Sequence, residues 1–286
     1  MAGFKQYKIQ TYLSNLKNKT NIEDCCILYI TNKKYLSYTE ISLHSLREFT
    51  DMDIYCVLNK CEPTTFNKND KIHYLEENFK MDFKYHSYYS YEEIYLRVKY
   101  LQKLHEKYRY VILVDSDTVI VKNPFETFKN ILKTNKNNKP ILIATKYLNI
   151  PNCPYKKEKP RFCANFMLLE RNNISDEIFL EKYILNGLLE EIYFADIYEN
   201  CVGIPQNMNC TVSFERNIDE ICIIHYPMSA KPFDTPKHLS PHFSYNYQNF
   251  YFEYVEYINY QFQEKDKYNK CKMFWNKLME LKNSES

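Results

Sequence analysis

Apolar residues are arranged along this chain in two kinds of pattern. Short unbroken runs, Cys25 to Ile30 and Tyr110 to Asp115, are flanked by polar residues. Runs of that length predict strands buried on both faces. Longer stretches place apolar residues at helical spacing. Ile94, Val98, Leu101 and His105 line one face of a helix predicted over Glu92 to Lys107. A helix over about Lys34 to Phe49 separates the first strand from others at Asp53–Leu58 and Lys71–Leu75. Thr118–Val121 reads as a strand, and Asn123-Pro124 opens a helix running to about Leu132, Pro being well placed near a helix start. Strands at Pro140–Thr145 and Ala164–Glu170, a helix at Ile178–Asn186 stopped by Gly187, and a last strand at Ile221–Tyr226 complete the core.

Two segments break the pattern. Phe79 to Tyr91 is aromatic and irregular, with His86, Tyr88 and Tyr89, and reads either as a lid or as a packed loop. Pro151 to Pro160 is a Pro-rich loop. Beyond Pro241 the chain is helical and aromatic through Trp275 to Leu281, an appendage that packs on the core or makes an oligomer contact such as a homodimer. Strands alternating with helices predict an α/β fold with a parallel or mixed sheet covered by helices. The expected organisation is one domain over 1–240 with a C-terminal helical appendage over 241–286.

Composition narrows the chemistry. The 286 residues, 45% of them apolar, suffice for a sizeable core. A formal charge of +2 gives no bulk attraction for nucleic acid. The 28 Tyr against 3 Gly reflect AT-rich codons, as in an AT-rich protist or a large DNA virus. No G-x-G-x-x-G or Walker string occurs. The 10 Cys form no CxxC pair, and several sit in apolar runs, such as Cys25-Cys26 and Cys222. They read as buried free thiols in a reducing compartment and not as a disulfide frame or zinc site. Met1 to Thr20 is polar and Lys-rich, and no run approaches the ~20 apolar residues of a membrane span. The expectation is a soluble cytoplasmic protein, in which the N-x-S/T strings at Asn18, Asn173 and Asn209 are chance matches.

Three short strings carry the candidate chemistry. Asp115-Ser116-Asp117 ends a buried strand. In extended chain, alternate residues point the same way, so both carboxylates can face one divalent cation. The alternative is a cap on the next element. His225 ends another apolar strand, and Lys231 follows just before Pro232. An imidazole suits Mn²⁺ better than Mg²⁺, and a Lys ammonium suits a phosphate. Each residue alone is more ordinarily core or surface. Thr31, Asn32 and Tyr35 follow the first strand, where they either grip a nucleobase or cap the next helix. Asp196 offers a carboxylate toward a sugar, or is merely solvated.

The ordered set resembles glycosyltransferase family 8, in its glycogenin-like branch, over roughly Cys25 to Phe233. The strings concerned are T-N-x-x-Y after the first strand, V-D-S-D-T, and I-I-H-Y-x-x-x-x-K-P-F. The resemblance implies a GT-A fold, a Rossmann-like sheet flanked by helices. It implies a UDP-sugar donor of the UDP-glucose type, Mn²⁺ with Mg²⁺ as the alternative, and retaining transfer to a glycan or protein hydroxyl. On that pattern Asp115, Asp117 and His225 hold the metal, and Lys231 holds the diphosphate. Tyr29, Thr31, Asn32 and Tyr35 form the uridine pocket, Lys99 contacts the donor, Ser116 lies near the ribose, and Asp196 serves catalysis. There are departures. Phe162-Cys163-Ala164-Asn165 has Cys163 where an amide usually holds the sugar, Ile197 replaces a Gln, and Met228 replaces a Gly. They leave open a catalytically inactive UDP-sugar-binding protein; a sugar nucleotidyltransferase, which also uses acidic metal sites on an α/β sheet, is a third reading that the absence of an N-terminal Gly-rich loop counts against.

Overall fold

A computed structural model of the chain describes residues 18–62, 70–81, 91–146, 162–186, 188–205, 208–211, 221–226 and 250–255, and positions 272, 273, 276, 279 and 280. Most of the aromatic loop, the Pro-rich loop, Met228, Lys231 and most of the C-terminal segment lie outside the described residues.

The first apolar run forms strand β1 (Cys25–Asn32), followed by helix α1 (Leu36–Arg47), β2 (Asp53–Asn59) and β3 (Ile72–Glu77). Helix α2 (Tyr91–Leu104) leads to β4 (Tyr110–Val114) and β5 (Thr118–Ile120). Then come α3 (Phe125–Thr134), β6 (Ile141–Lys146), β7 (Phe162–Glu170), α4 (Asp176–Lys182) and a short 3₁₀ turn (Ile184–Asn186). Helix α5 (Glu190–Ile197), β8 (Asn200–Ile204), β9 (Cys210–Thr211) and β10 (Ile223–His225) complete the core.

Seven strands form one sheet in the order β3-β2-β1-β4-β7-β6-β8. β7 runs antiparallel to both neighbours, β4 and β6, and the other pairs are parallel. The prediction of a mixed sheet holds. Period-two alternation shows why β1 is apolar throughout. Cys25, Ile27 and Tyr29 enter one core with Tyr38, Ile41 and Leu46 of α1 and Phe125 and Phe128 of α3. Cys26, Leu28 and Ile30 enter the other with Ile94, Val98 and Leu101 of α2 and Phe194 of α5. Each buried Leu, Ile or Phe of such a core contributes about 1.5–3 kcal/mol.

The structure corrects the strand plan: β8 and β9 are strands that the apolar pattern did not predict. β5 and the last predicted strand, β10, leave the main sheet and pair with β9 in a separate three-stranded sheet, ordered β5-β10-β9. The chain changes sheets in a turn at residues 116–117. With so few glycines, Asp24 and Lys60 take left-handed backbone positions, at φ 54 and 56. Both adjoin strand ends, where Asp is among the residues that tolerate this region best. Residues 250–255 are helical. Phe250, Tyr251, Tyr254 and Val255 join the first core, and the Tyr254 hydroxyl meets His44 Nδ1 at 2.9 Å. No helix among the described residues is long and apolar enough to cross a membrane.

Candidate metal centre and active site

β1 and β4 are parallel neighbours, so Thr31, Asn32 and Asp115 emerge at the same edge of the main sheet. The carboxyl edge of such a sheet is where ligands bind. Asp115 is fixed there through its backbone. Its N–H donates to the Asn165 carbonyl at 2.8 Å, and its carbonyl accepts from the Thr118 hydroxyl at 2.8 Å. Ser116 donates to the Ile30 carbonyl at 3.1 Å, tying the turn to β1. Tyr226 N–H donates to the Asp117 carbonyl at 2.9 Å, so the end of β10 is bonded to this same turn.

The result is a convergence of three side chains. His225 Nε2 lies 3.3 Å from Asp117 Oδ1 and 3.6 Å from Asp115 Oδ2. Ligand atoms of Asp115, Asp117 and His225 all fall within 4.8 Å of one another. Neighbouring ligands on an octahedral ion with bonds of about 2.1 Å sit about 3 Å apart, so the spacing fits a divalent cation. Two carboxylates brought this close repel each other, and a cation relieves that repulsion. The carboxylates converge because the chain turns at 116–117. The extended alternation assumed from the sequence does not occur here.

A second charged layer lies behind the cluster. Arg97 of α2 donates to Asp115 Oδ1 and, through Nη1, to Glu190 Oε1 at 2.8 Å. Burial alone would lower the Arg97 pKa, but Asp115 and Glu190 hold it above its ordinary value. Next in the chain, Glu191 accepts weakly from the Ala164 N–H at 3.4 Å. Burial first, and the Glu190 carboxylate second, push the Glu191 carboxyl up to about 8.

The remaining predicted residues take varied places. Tyr29 is fully buried, its hydroxyl 2.9 Å from Ser42. Thr31 accepts from the Thr39 hydroxyl at 2.7 Å. Asn32 is committed on both sides of its amide. Oδ1 accepts from the Lys34 and Tyr35 N–H groups at 2.9 and 3.2 Å, and Nδ2 donates to Glu93 at 2.9 Å. Tyr35 is half-buried, with its ring centroid 6.3 Å from that of Tyr38. Lys99 pairs with Glu77 at 2.9 Å; the basic residue that reaches Asp115 is Arg97, two positions earlier. Cys163 and Ala164 are buried. The Asn165 side chain exchanges two hydrogen bonds with Asn209, at 2.9 and 2.7 Å. Asn209 is therefore internal. Asp196 is exposed and accepts from Tyr183 at 2.9 Å. It lies six residues along α5 from Glu190 and, at 3.6 residues per turn, on another face.

Arg97, Glu190, Glu191 and Asn209 carry no site reading in the sequence. One signal was present for Arg97, a charged residue three positions after Ile94 on an otherwise apolar helix face. Glu190-Glu191 looks like an ordinary acidic first turn.

No protein-family model matches the chain, and no curated protein matches it in sequence. Solved structures do match in shape. The galactosyltransferase LgtC, solved with donor and acceptor sugar analogues, superposes with a TM-score of 0.55 at 12% identity, covering 82% of this chain and 95% of that one. WbbM, a bifunctional glycosyltransferase, gives 0.52 at 14% identity over 89% of this chain and 53% of that one. The glycosyltransferase GlyE of Streptococcus pneumoniae TIGR4 gives 0.52 at 13% identity, over 85% and 64%. These likenesses establish the architecture. The chain has the GT-A fold, with Asp115, Asp117 and His225 clustered at the edge of its main sheet.

Proposed function

We propose that the chain is a retaining, metal-dependent glycosyltransferase of the family 8 type. It would transfer a hexose from a UDP-sugar, UDP-glucose-like, to a hydroxyl acceptor. The observation that carries this reading is the convergence of Asp115, Asp117 and His225 on a GT-A fold. Two carboxylates and one imidazole suit Mn²⁺ better than Mg²⁺. When bound, the ion would neutralise the leaving diphosphate as a Lewis acid. Asp115, Asp117 and His225 would hold it, and Lys231 would add a point charge to the diphosphate. Arg97 would keep one Asp115 oxygen turned away from the ion and so fix the other toward it. Thr31 and Tyr35 would frame the nucleoside, with Asn32 shaping the loop between them. Glu191, beside Ala164, supports the reading of an acidic group at the sugar, a role the sequence assigned to Asp196.

The test is UDP release from a panel of UDP-sugars, with Mn²⁺ and with EDTA, for the wild type and Asp117→Ala. Metal-dependent release from one sugar, lost in the variant, is the expected result. UDP binding with no release from any sugar, across a panel of acceptors, would instead support an inactive binding protein. The absence of both binding and release would overturn the proposal.

A further inference from the structure

The metal cluster is split between two sheets. Asp115 emerges from β4 of the seven-stranded sheet, whereas His225 belongs to β10 of the three-stranded one. Asp117 is bonded to the chain beyond β10 through Tyr226. At the cluster itself the covalent link is the turn at 116–117; the chain's other crossings between the sheets run from β5 to β6 and from β8 to β9. Their separation at the cluster therefore depends on what else joins the sheets there.

The Asn165–Asn209 pair makes such a joint. Asn165 lies on β7, and its carbonyl accepts from Asp115 N–H at 2.8 Å. Asn209 directly precedes β9, where Thr211 stands opposite His225. The two side chains are only 2% and 5% exposed and give each other both of their bonds, at 2.9 and 2.7 Å. The strand is shaped for this contact. Phe162 and Ala164 face one core and Phe166 and Leu168 the other, so the alternation slips by one residue at Asn165. The pairing of β6 with β7 shifts register at the same level. Bulges of this kind re-aim a side chain beside active sites. Buried primary amides are tolerated when they are hydrogen-bonded, as these two are to each other, and such bonds fix direction as apolar packing does not.

We propose that the Asn165–Asn209 pair is a positioning element that sets the separation of Asp115 from His225 and Asp117, and with it the affinity of the centre for its divalent cation. This rests on the metal reading given above.

The experiment is Mn²⁺ titration followed by electron paramagnetic resonance, with thermal unfolding measured on the same samples. The proteins are the wild type, Asn209→Leu, Asn165→Leu and the double Leu variant. Each single variant leaves one buried amide unpaired and is expected to melt earlier. The double variant removes both amides and is expected to recover much of that loss in melting temperature. Its Mn²⁺ affinity stays about 10- to 100-fold below wild type, the range seen when the partners of metal ligands are removed. Wild-type affinity in the folded double variant would overturn the inference and leave the metal site standing. Failure of the wild-type protein itself to bind Mn²⁺ would overturn the metal reading, and the inference with it.

Discussion

Arg97 and Glu190 are 93 residues apart in sequence and meet at 2.8 Å. The same guanidinium donates to Asp115, so one cation on α2 links the start of α5 to the Asp115–Asp117–His225 cluster. Both bonds depend on the planar fork of Arg, and a Lys ammonium cannot reproduce it. Arg97→Met would strand two carboxylates, one of them buried. Breaking such a pair costs about 3–5 kcal/mol. We expect Arg97→Met to lower the unfolding free energy read from urea titration by about that amount, and Arg97→Lys to recover only part of it. A wild-type midpoint for Arg97→Met would refute this account of the buried charges.

Metal binding should be visible without turnover. A cation that binds only the folded chain stabilises it by about 2.7 kcal/mol at a hundredfold excess over its dissociation constant. Mn²⁺ should therefore raise the melting temperature of the wild type by several degrees, and EDTA should reverse the rise. Asp117→Asn removes one of two crowded carboxylates, so without metal it should melt no earlier than wild type. Its response to Mn²⁺ should vanish. An undiminished response would remove Asp117 from the ligand set.

Acid should weaken the fold through two histidines. His44, beside Tyr254, and His105, on the core side of β7, are buried. Burial pulls both down to about 4. The unfolded chain takes up their protons near pH 6.5 and the folded chain only near 4, so stability is full above that window and falls as pH drops through it. Each histidine accounts for up to about 3 kcal/mol of the loss. Urea unfolding at pH 7 and pH 5 checks this. His105→Gln should shrink the difference between the two midpoints, and an unchanged difference would exclude His105 as a source.

The main sheet was legible because burial on both faces leaves unbroken apolar runs at β1 and β4. The division into two sheets was not, since β5 and β10 are as apolar as the rest. Nothing local says that a strand changes partners at Asp117. The convergence of Asp115, Asp117 and His225 was legible as two carboxylates and an imidazole at the ends of apolar strands. The layer behind it was hidden. Arg97, Glu190 and Asn209 act through partners far away in sequence; Glu190 passes locally for a capping residue, and the place of Arg97 on an apolar helix face does not name its partners. Counting positions back from Asp115 cannot show which way a helix faces; α2 pairs Lys99 with Glu77.

Glu191 offers a test of that hidden layer by pH. Its carboxyl is pushed up to about 8, chiefly by burial and then by Glu190. The folded chain keeps this proton where the unfolded chain, with an ordinary carboxyl near 4.5, has lost it. The protonated group favours folding below about 4.5, and that contribution is lost as pH rises through about 8. Glu191→Gln keeps the shape and the acceptor for Ala164 N–H but cannot ionise. It should melt close to wild type at pH 5 and clearly later at pH 8.5. Glu191→Ala loses the acceptor as well and should melt earlier than Glu191→Gln at both values. Parallel pH profiles for wild type and Glu191→Gln would mean that the carboxyl titrates normally. Glu191 would then be solvated and not enclosed beside Ala164.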